Sequence, residues 1–171
     1  MPLLRGKHTI LLPVNPLFVQ STIIASFLIN LSIGKAAEFI NILDTVFFFW
    51  CLRENRIIKS GTGFLIGILT DLYFNTTIGQ NALCYTVTTA IANKISVRFL
   101  SLPLRAQALL ILLVLSIKNT LTAIMFIIFA GKYQQIGIVV SPIVSAAMYP
   151  VFASILLSPQ LKPTSSNETP I

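Results

Sequence analysis

Charged side chains are scarce in this sequence. Aspartate, glutamate, lysine and arginine make up 10% of its 171 residues, and hydrophobic residues make up 55%. An average soluble domain carries about 25% charged residues, and a chain this short has no core large enough to hide so much apolar surface. The composition therefore excludes an ordinary soluble domain and makes membrane lipid the expected surroundings of a single domain.

Side chains that perform catalysis or bind metals are also few. The one histidine, His8, lies in a basic leader, and Cys51 and Cys84 lie inside apolar runs without other metal-ligand types beside them. The glycines of GTGFLIG (61–67) stand within an apolar run and not between a strand and a helix, so they do not form a phosphate-binding loop. We expect no enzyme, no metal and no cofactor, and interpret both cysteines as small buried hydrophobes.

Six apolar stretches are candidates for membrane-spanning helices, each of which needs about 20 apolar residues. They cover residues 12–33, 37–52, 57–74, 78–97, 106–130 and 137–157. The sequence thus predicts an all-α integral membrane protein, a bundle of about six transmembrane helices over residues 1–157.

The two ends of the chain need separate interpretation. The first stretch follows a basic start, as a signal peptide does, but it is longer than a signal core, and we interpret it as a retained helix. After Ser158 the sequence PQLKPTSSNETPI is polar and rich in proline, which predicts a disordered cytoplasmic tail over residues 158–171.

Lysine and arginine predict the orientation, because short cytoplasmic loops are enriched in them. With both termini cytoplasmic, Lys35 and Lys132 lie outside and Lys118 lies within the fifth stretch. The other basic residues then lie inside: Arg5, Lys7, Arg53, Arg56, Lys59, Lys94, Arg98, Arg105 and Lys162. Although the formal charge is +7, it is spread between the apolar stretches, so we expect no nucleic-acid partner. The loop RENRIIK (53–59) could also contact anionic lipid or a cytoplasmic partner.

Glycines in the third stretch predict a close helix contact. Gly63 and Gly67 are four residues apart and share a helix face, which lets another helix approach closely. Gly61 precedes them near the cytoplasmic end, and Asp71 follows one turn later on nearly the same face. With Gly79 beyond the next turn, these residues are the predicted surface for helix packing or partner contact.

Ionisable side chains within the apolar stretches require partners, since each is costly in lipid. Lys118 lies in the middle of the fifth stretch, Asp44 lies at a comparable depth in the second, and Asp71 lies nearer the outer side. We predict an ion pair between Lys118 and Asp44 or Asp71, with Asp44 favoured. Such a pair either organises the bundle, which we favour, or belongs to a proton or ion relay.

Polar stripes at helical spacing mark two further stretches. Asn81, Tyr85 and Thr88 or Thr89 follow one face of the fourth, and Ser141, Ser145 and Tyr149 follow one face of the sixth. These stripes form either helix-packing faces, which we favour, or the lining of a solute pocket.

The segment SGTGFLIGILTDLYFNTTIGQNAL (60–83) resembles the central signature of the rod shape-determining protein MreD family. That family shows a glycine-containing helix, an Asp-Leu pair, a short polar turn and then a glycine before a small apolar helix start. Asp71, Leu72, Gly79 and Ala82 with Leu83 stand at those positions.

The resemblance extends through LPLRAQALLILLVL (102–115) to SAAMYPVF (145–152) and is weak before residue 57. Glu38, Asp44 and Lys118 depart from the family's pattern, so the predicted ion pair depends on the residues alone.

The resemblance implies a non-enzymatic scaffold of the bacterial cell-elongation machinery, a multi-pass protein of the inner (cytoplasmic) membrane. Such proteins help to maintain rod shape and to direct lateral peptidoglycan synthesis. The implied partners are an MreC-like membrane-anchored protein, the actin-like MreB, and a RodA-like glycan polymerase with its transpeptidase. The alternative is a solute-binding membrane subunit like the substrate-capture components of vitamin transporters. A proton-coupled transporter would need Asp71 or Lys118 to titrate during transport.

Overall fold

Six α-helices account for most of the residues that the structure, a computed structural model, describes: 10–11, 15–34, 39–99, 101–130, 137–157 and 161–162. The helices are α1 (Pro16–Ile33), α2 (Ile42–Arg53), α3 (Ser60–Phe74), α4 (Gln80–Phe99), α5 (Leu104–Ala130) and α6 (Gly137–Leu157). The predicted all-α fold of six helices is confirmed over this part of the chain.

A short ladder joins the two ends of the described chain. The strand β1 (Ile10–Leu11) pairs antiparallel with β2 (Leu161–Lys162), so the segments before α1 and after α6 meet. The rest of the predicted tail, residues 158–160 and 163–171, lies outside the described residues, and its disorder stays a prediction.

Three helices are long and apolar enough to cross a membrane. The qualifying segments are Pro16–Ile33 in α1, Arg105–Phe129 in α5 and Val139–Leu157 in α6. By contrast, α2 has 12 residues and extends about 18 Å at 1.5 Å per residue, well short of a hydrocarbon core of about 30 Å.

The short helix α2 lies at the centre of the bundle. Every residue from Leu43 to Leu52 is buried, and the helix packs against α1, α4, α5 and α6. Its sequence, ILDTVFFFWCLR, is apolar around nearly its whole circumference, as suits a helix that meets no water on any side. The centre of the bundle is therefore protein on all sides.

Aromatic rings fill the space around α2. Phe47 and Phe48 contact the ring of Tyr85 on α4, and Phe49 contacts Tyr149 on α6. On the other side the indole of Trp50 donates to Thr22 Oγ1 on α1 at 2.9 Å. These contacts attach α1 to the bundle.

The helices α3 and α4 form a tight antiparallel hairpin. Gly63, Gly67, Thr70 and Asp71 are the buried residues of α3, and this spacing defines one helix face. The opposite face, which includes Leu65 and Leu72, is exposed and apolar, as suits contact with lipid.

Candidate functional site

The Lys118 ammonium and the Asp44 carboxylate form an ion pair inside the bundle. The distance from Nζ to Oδ2 is 2.7 Å, and the side chains are 7% and 2% exposed, respectively. The structure thus brings Lys118 to Asp44 and not to Asp71. The pair joins the central α2 to α5, on which Lys118 is the fifteenth of 27 residues.

Tyr85 on α4 completes the cluster around this pair. Its hydroxyl donates to Asp44 Oδ1, the oxygen that Lys118 does not contact. Lys118 Nζ also lies 4.9 Å from the centre of the Tyr85 ring, which is within cation–π range. Sequence reasoning placed Tyr85 in a polar stripe without assigning it to the ion pair.

The start of α2 favours the negative charge of Asp44. Asn41 caps the helix, and its side-chain oxygen accepts from the Asp44 backbone N–H at 3.0 Å. Asp44 therefore lies in the first turn, where the helix dipole stabilises an anion. The Asp44 carboxylate is therefore stabilised by the Lys118 ammonium, the Tyr85 hydroxyl and the dipole of α2. Through these contacts one buried group connects α2, α4 and α5.

Asp71 lies at the end of α3, where it caps the start of α4. Its carboxylate accepts from the backbone N–H groups of Gly79 at 2.9 Å, Asn81 at 2.9 Å and Ala82 at 3.3 Å. The Thr76 hydroxyl also donates to it at 2.7 Å. A carboxylate at a helix N-terminus satisfies free N–H donors and opposes the positive end of the dipole. Asp71 is completely buried, and its partner is the helix start rather than a cation.

The turn between α3 and α4 is shaped to deliver these donors. Asn75 ends α3 in the left-handed region with φ 50°, and Gly79 has φ 99° just before α4 begins. A side chain would strain the backbone at Gly79. The polar turn and the glycine that carry the family resemblance therefore serve the Asp71 cap.

Two of the four predicted glycines lie where α3 meets α4. A Cβ at Gly67 would lie 2.6 Å from the backbone nitrogen of Ala82, and one at Gly63 would lie 2.5 Å from Thr89 Oγ1. The helices approach this closely because neither position has a side chain. A Cβ at Gly61 or Gly79 would have no atom within 4 Å, so those two glycines make no packing contact of this kind.

The polar stripes point into helix contacts. Asn81 donates through Nδ2 to Asp71 at 3.0 Å, and Tyr149 donates to Gln107 Oε1 at 2.7 Å. An open depression of about 310 Å³ lies elsewhere, on the outer face of α5. Its lining residues are Leu113, Ser116, Ile117, Thr120 and Leu121. Since none of them belongs to a stripe, the solute-binding alternative gains no support.

No group of acidic, histidine and cysteine side chains suited to a metal occurs among the described residues. What the site can do chemically is hold helices together. The fold and the site define a class: an all-helical membrane protein whose charges at Asp44, Lys118 and Asp71 are engaged by its own helices.

Within that class, the chain belongs to the MreD family. The family model for the rod shape-determining protein MreD matches residues 15–162, which is most of the chain. The match includes both the ion pair and the α3–α4 hairpin, and the resemblance seen in the sequence is confirmed. No curated protein matches the chain, and no solved structure does.

Proposed function

We propose that this chain is a non-enzymatic scaffold of the bacterial cell-elongation machinery in the inner membrane. Membership of the MreD family implies a role in rod shape determination, and the family is a shape-determining one rather than a known enzyme family. In this role the chain holds other proteins of the machinery together and helps to direct lateral peptidoglycan synthesis.

One observation carries the proposal: the charged groups inside the bundle are engaged by the chain itself, although the buried hydroxyls of Thr88 and Thr89 have no hydrogen-bond partner among the described residues. Asp44 is shared by Lys118 and Tyr85, and Asp71 is bonded to the turn and the start of α4. A carrier or receptor needs polar side chains directed at its ligand. Here the charged side chains bind other parts of the chain instead of a ligand. This favours the interpretation that the bundle is a rigid body whose outer surface contacts partner proteins.

The proposed topology is six spans with both termini cytoplasmic. Six helices return the chain to the side from which it started, and the β1–β2 pairing brings its two end segments together. The short α2 needs no lipid contact over most of its length, because its neighbours surround it. These features support the multi-pass arrangement that the basic residues predict.

The proposed partners are an MreC-like membrane-anchored protein, a RodA-like glycan polymerase with its transpeptidase, and the actin-like MreB. The exposed apolar face of α3 is a candidate for the contact with a partner's membrane helix. This face lies opposite Gly63 and Gly67, whose positions are already filled by α4.

Affinity purification from native membranes tests the proposal. A tagged chain is solubilised gently, and the proteins that co-purify are identified by mass spectrometry. We expect MreC-like and RodA-like proteins to be enriched over an untagged strain and over a tagged, unrelated protein of similar size and span number.

Two further measurements make the test decisive. Cells depleted of the native protein and supplied with the tagged one should regain rod shape, which shows that the purified species is functional. Recovery of paired ATPase subunits, without wall-synthesis proteins, would contradict the scaffold and point to a transporter component.

A further inference from the structure

Basic side chains converge at the end of the bundle where α2 finishes and α3 begins. The C-terminus of α4 and the N-terminus of α5 meet at the same end. Its basic residues from the last turn of α2 to the start of α5 are Arg53, Arg56, Lys59, Lys94, Arg98 and Arg105. Glu54 is the single acidic residue at this end of the described chain. The described residues of the opposite turns, 39–41 and 75–79, carry no charge.

Side-chain hydrogen bonds hold the loop between α2 and α3 against α4. Asn55 Nδ2 donates to Ser96 Oγ at 2.8 Å, and Asn93 Nδ2 donates to the carbonyl of Ile58 at 3.2 Å. The basic residues before and after Asn55 are thereby fixed beside those of α4. The positive charges form a structured surface, which we call the basic end.

Arg53 differs from the other basic residues at this end. It is the last residue of the buried helix α2, and its side chain is partly buried, whereas the other five are exposed. Its Nε is buried and has no hydrogen-bond acceptor among the described residues. A buried donor without an acceptor is costly. Because the side chain as a whole is only partly buried, an acceptor from outside the chain can reach its exposed part and stabilise the guanidinium there, although not at Nε itself.

We propose that the basic end binds the phosphate of an anionic phospholipid headgroup, with Arg53 as its main contact. The guanidinium presents its N–H groups in a planar fork that matches phosphate oxygens. The neighbouring bases add a positive field that attracts anionic lipid.

Apolar side chains beside the basic residues favour a lipid over an acidic protein segment. Val97, next to Arg98, is 78% exposed, and Leu109, one turn after Arg105, is 67% exposed. A headgroup bound at the basic end would leave its acyl chains along such residues. This binding needs no protein partner and so goes beyond the proposed scaffold role.

Native mass spectrometry of the full chain in nanodiscs tests the inference. The discs contain equal amounts of phosphatidylglycerol and phosphatidylcholine, and the lipids that stay bound after disc release are counted. We expect the wild type to retain phosphatidylglycerol preferentially. Arg53→Gln should lower that preference about tenfold, as the loss of one charge-assisted contact implies. The matched control Arg56→Gln, at an exposed position, should lower it about twofold or less.

Several outcomes would overturn the proposal. Equal losses for the two variants would mean a general charge effect without a site. A wild type with no preference would exclude the lipid, as expected if an acidic protein segment were the true occupant. Displacement of the lipid by inorganic phosphate, but not by chloride of equal ionic strength, would identify free phosphate as the ligand.

A salt titration of the wild type tests the proposal even if a variant fails to fold. Raising sodium chloride should reduce the retained phosphatidylglycerol more than the retained phosphatidylcholine, because screening weakens the attraction of a net negative headgroup more than that of a zwitterionic one. A preference that is insensitive to salt would contradict the proposal without any substitution.

Discussion

Replacing Lys118 with methionine should destabilise the protein strongly, because it leaves Asp44 buried without its cation. Methionine keeps the length and apolar stem of lysine, so the change removes the charge while the packing is nearly conserved. Removing one partner of a buried pair costs about 3–5 kcal/mol. Asp44 keeps the Tyr85 hydroxyl and the α2 helix start, so we expect a value near the lower limit.

Neutralising both partners should recover much of that loss. Asp44→Asn keeps the shape of the side chain and an oxygen for Tyr85, and in the double variant with Lys118→Met no charge remains buried. Replacing a buried pair by neutral groups of similar volume is often nearly neutral. We expect the double variant to be more stable than Lys118→Met alone by about 2 kcal/mol, within the range for coupled contacts.

Equilibrium unfolding in mixed micelles with increasing SDS measures these differences, with helix content followed by circular dichroism. Accumulation of each variant in cell membranes gives a second readout, in which the charge swap Asp44→Lys with Lys118→Asp should recover protein that either single change loses. Thr120→Ala, exposed on the same helix, is the control and should stay within about 0.5 kcal/mol of the wild type. Additivity of the two neutralising changes within about 0.5 kcal/mol would refute the coupling, and with it the organising role of the pair.

Three further outcomes are expected from the same unfolding assay. Gly67→Ala should cost about 1–3 kcal/mol by overpacking, because its Cβ would meet the backbone of α4. The control Gly61→Ala should be neutral or slightly stabilising, because its Cβ position is open. Equal effects of the two changes would show that the α3–α4 contact is looser than described. Asp71→Ala should cost about 2 kcal/mol or more, at the upper limit for the loss of a helix cap, and Asp71→Asn should recover part of this, so an unchanged midpoint for Asp71→Ala would contradict the capping role. Tyr85→Phe keeps the ring over the ammonium and removes the hydroxyl, so it should cost about 1.5–3 kcal/mol, as for a hydrogen bond to a charged group. An unchanged unfolding midpoint for Tyr85→Phe, beside a large loss for Tyr85→Ala, would mean that only the packing of the ring matters.

The ion pair was accessible from the sequence because its cost in lipid is high. Lys118 in the middle of an apolar stretch required an acid at its own depth, and few acids were candidates. Tyr85 was not assigned in this way, because its polar atom is cheaper to bury and the i, i+4 stripe on α4 shows only which face it shares. Whether that face meets α2 or opens to a solute is decided by contacts between distant segments.

The role of Asp71 was accessible only in part. Its position within an apolar stretch predicts that it points inward and needs a partner, and its charge alone suggests a cation as that partner. The signal for the cap lies in the next ten residues: a left-handed Asn75, the hydroxyl of Thr76 and the positive φ of Gly79. Local turn chemistry of this kind predicts a carboxylate that accepts backbone N–H groups, and it explains an acid in lipid without any cation.

The central position of α2 could not be derived from its length. A helix of 12 residues covers only part of the hydrocarbon core by itself, and nothing in its own sequence indicates which neighbours surround it. The informative feature is FFFW (47–50), which places large rings on every face of the helix. A lipid-facing helix needs no such fit, whereas a helix enclosed by four neighbours must fill the space on all its sides.

Apolar packing alone does not fully specify the position of α2 along its axis. The buried ion pair between Asp44 and Lys118 can supply that missing specificity. A shift of α2 by one turn, about 5.4 Å, would cost packing, but apolar groups can in part be packed again against new neighbours. The contact of 2.7 Å between Asp44 and Lys118 would not survive it, and both charges would then be left unpaired in a medium that penalises them. The pair therefore fixes the depth and rotation of α2 against α5, and Tyr85 extends this constraint to α4. The proposed scaffold benefits from such a constraint, because the outer faces of α5 and α6 present partners with a constant surface only if α2, against which both helices pack, is held in one register.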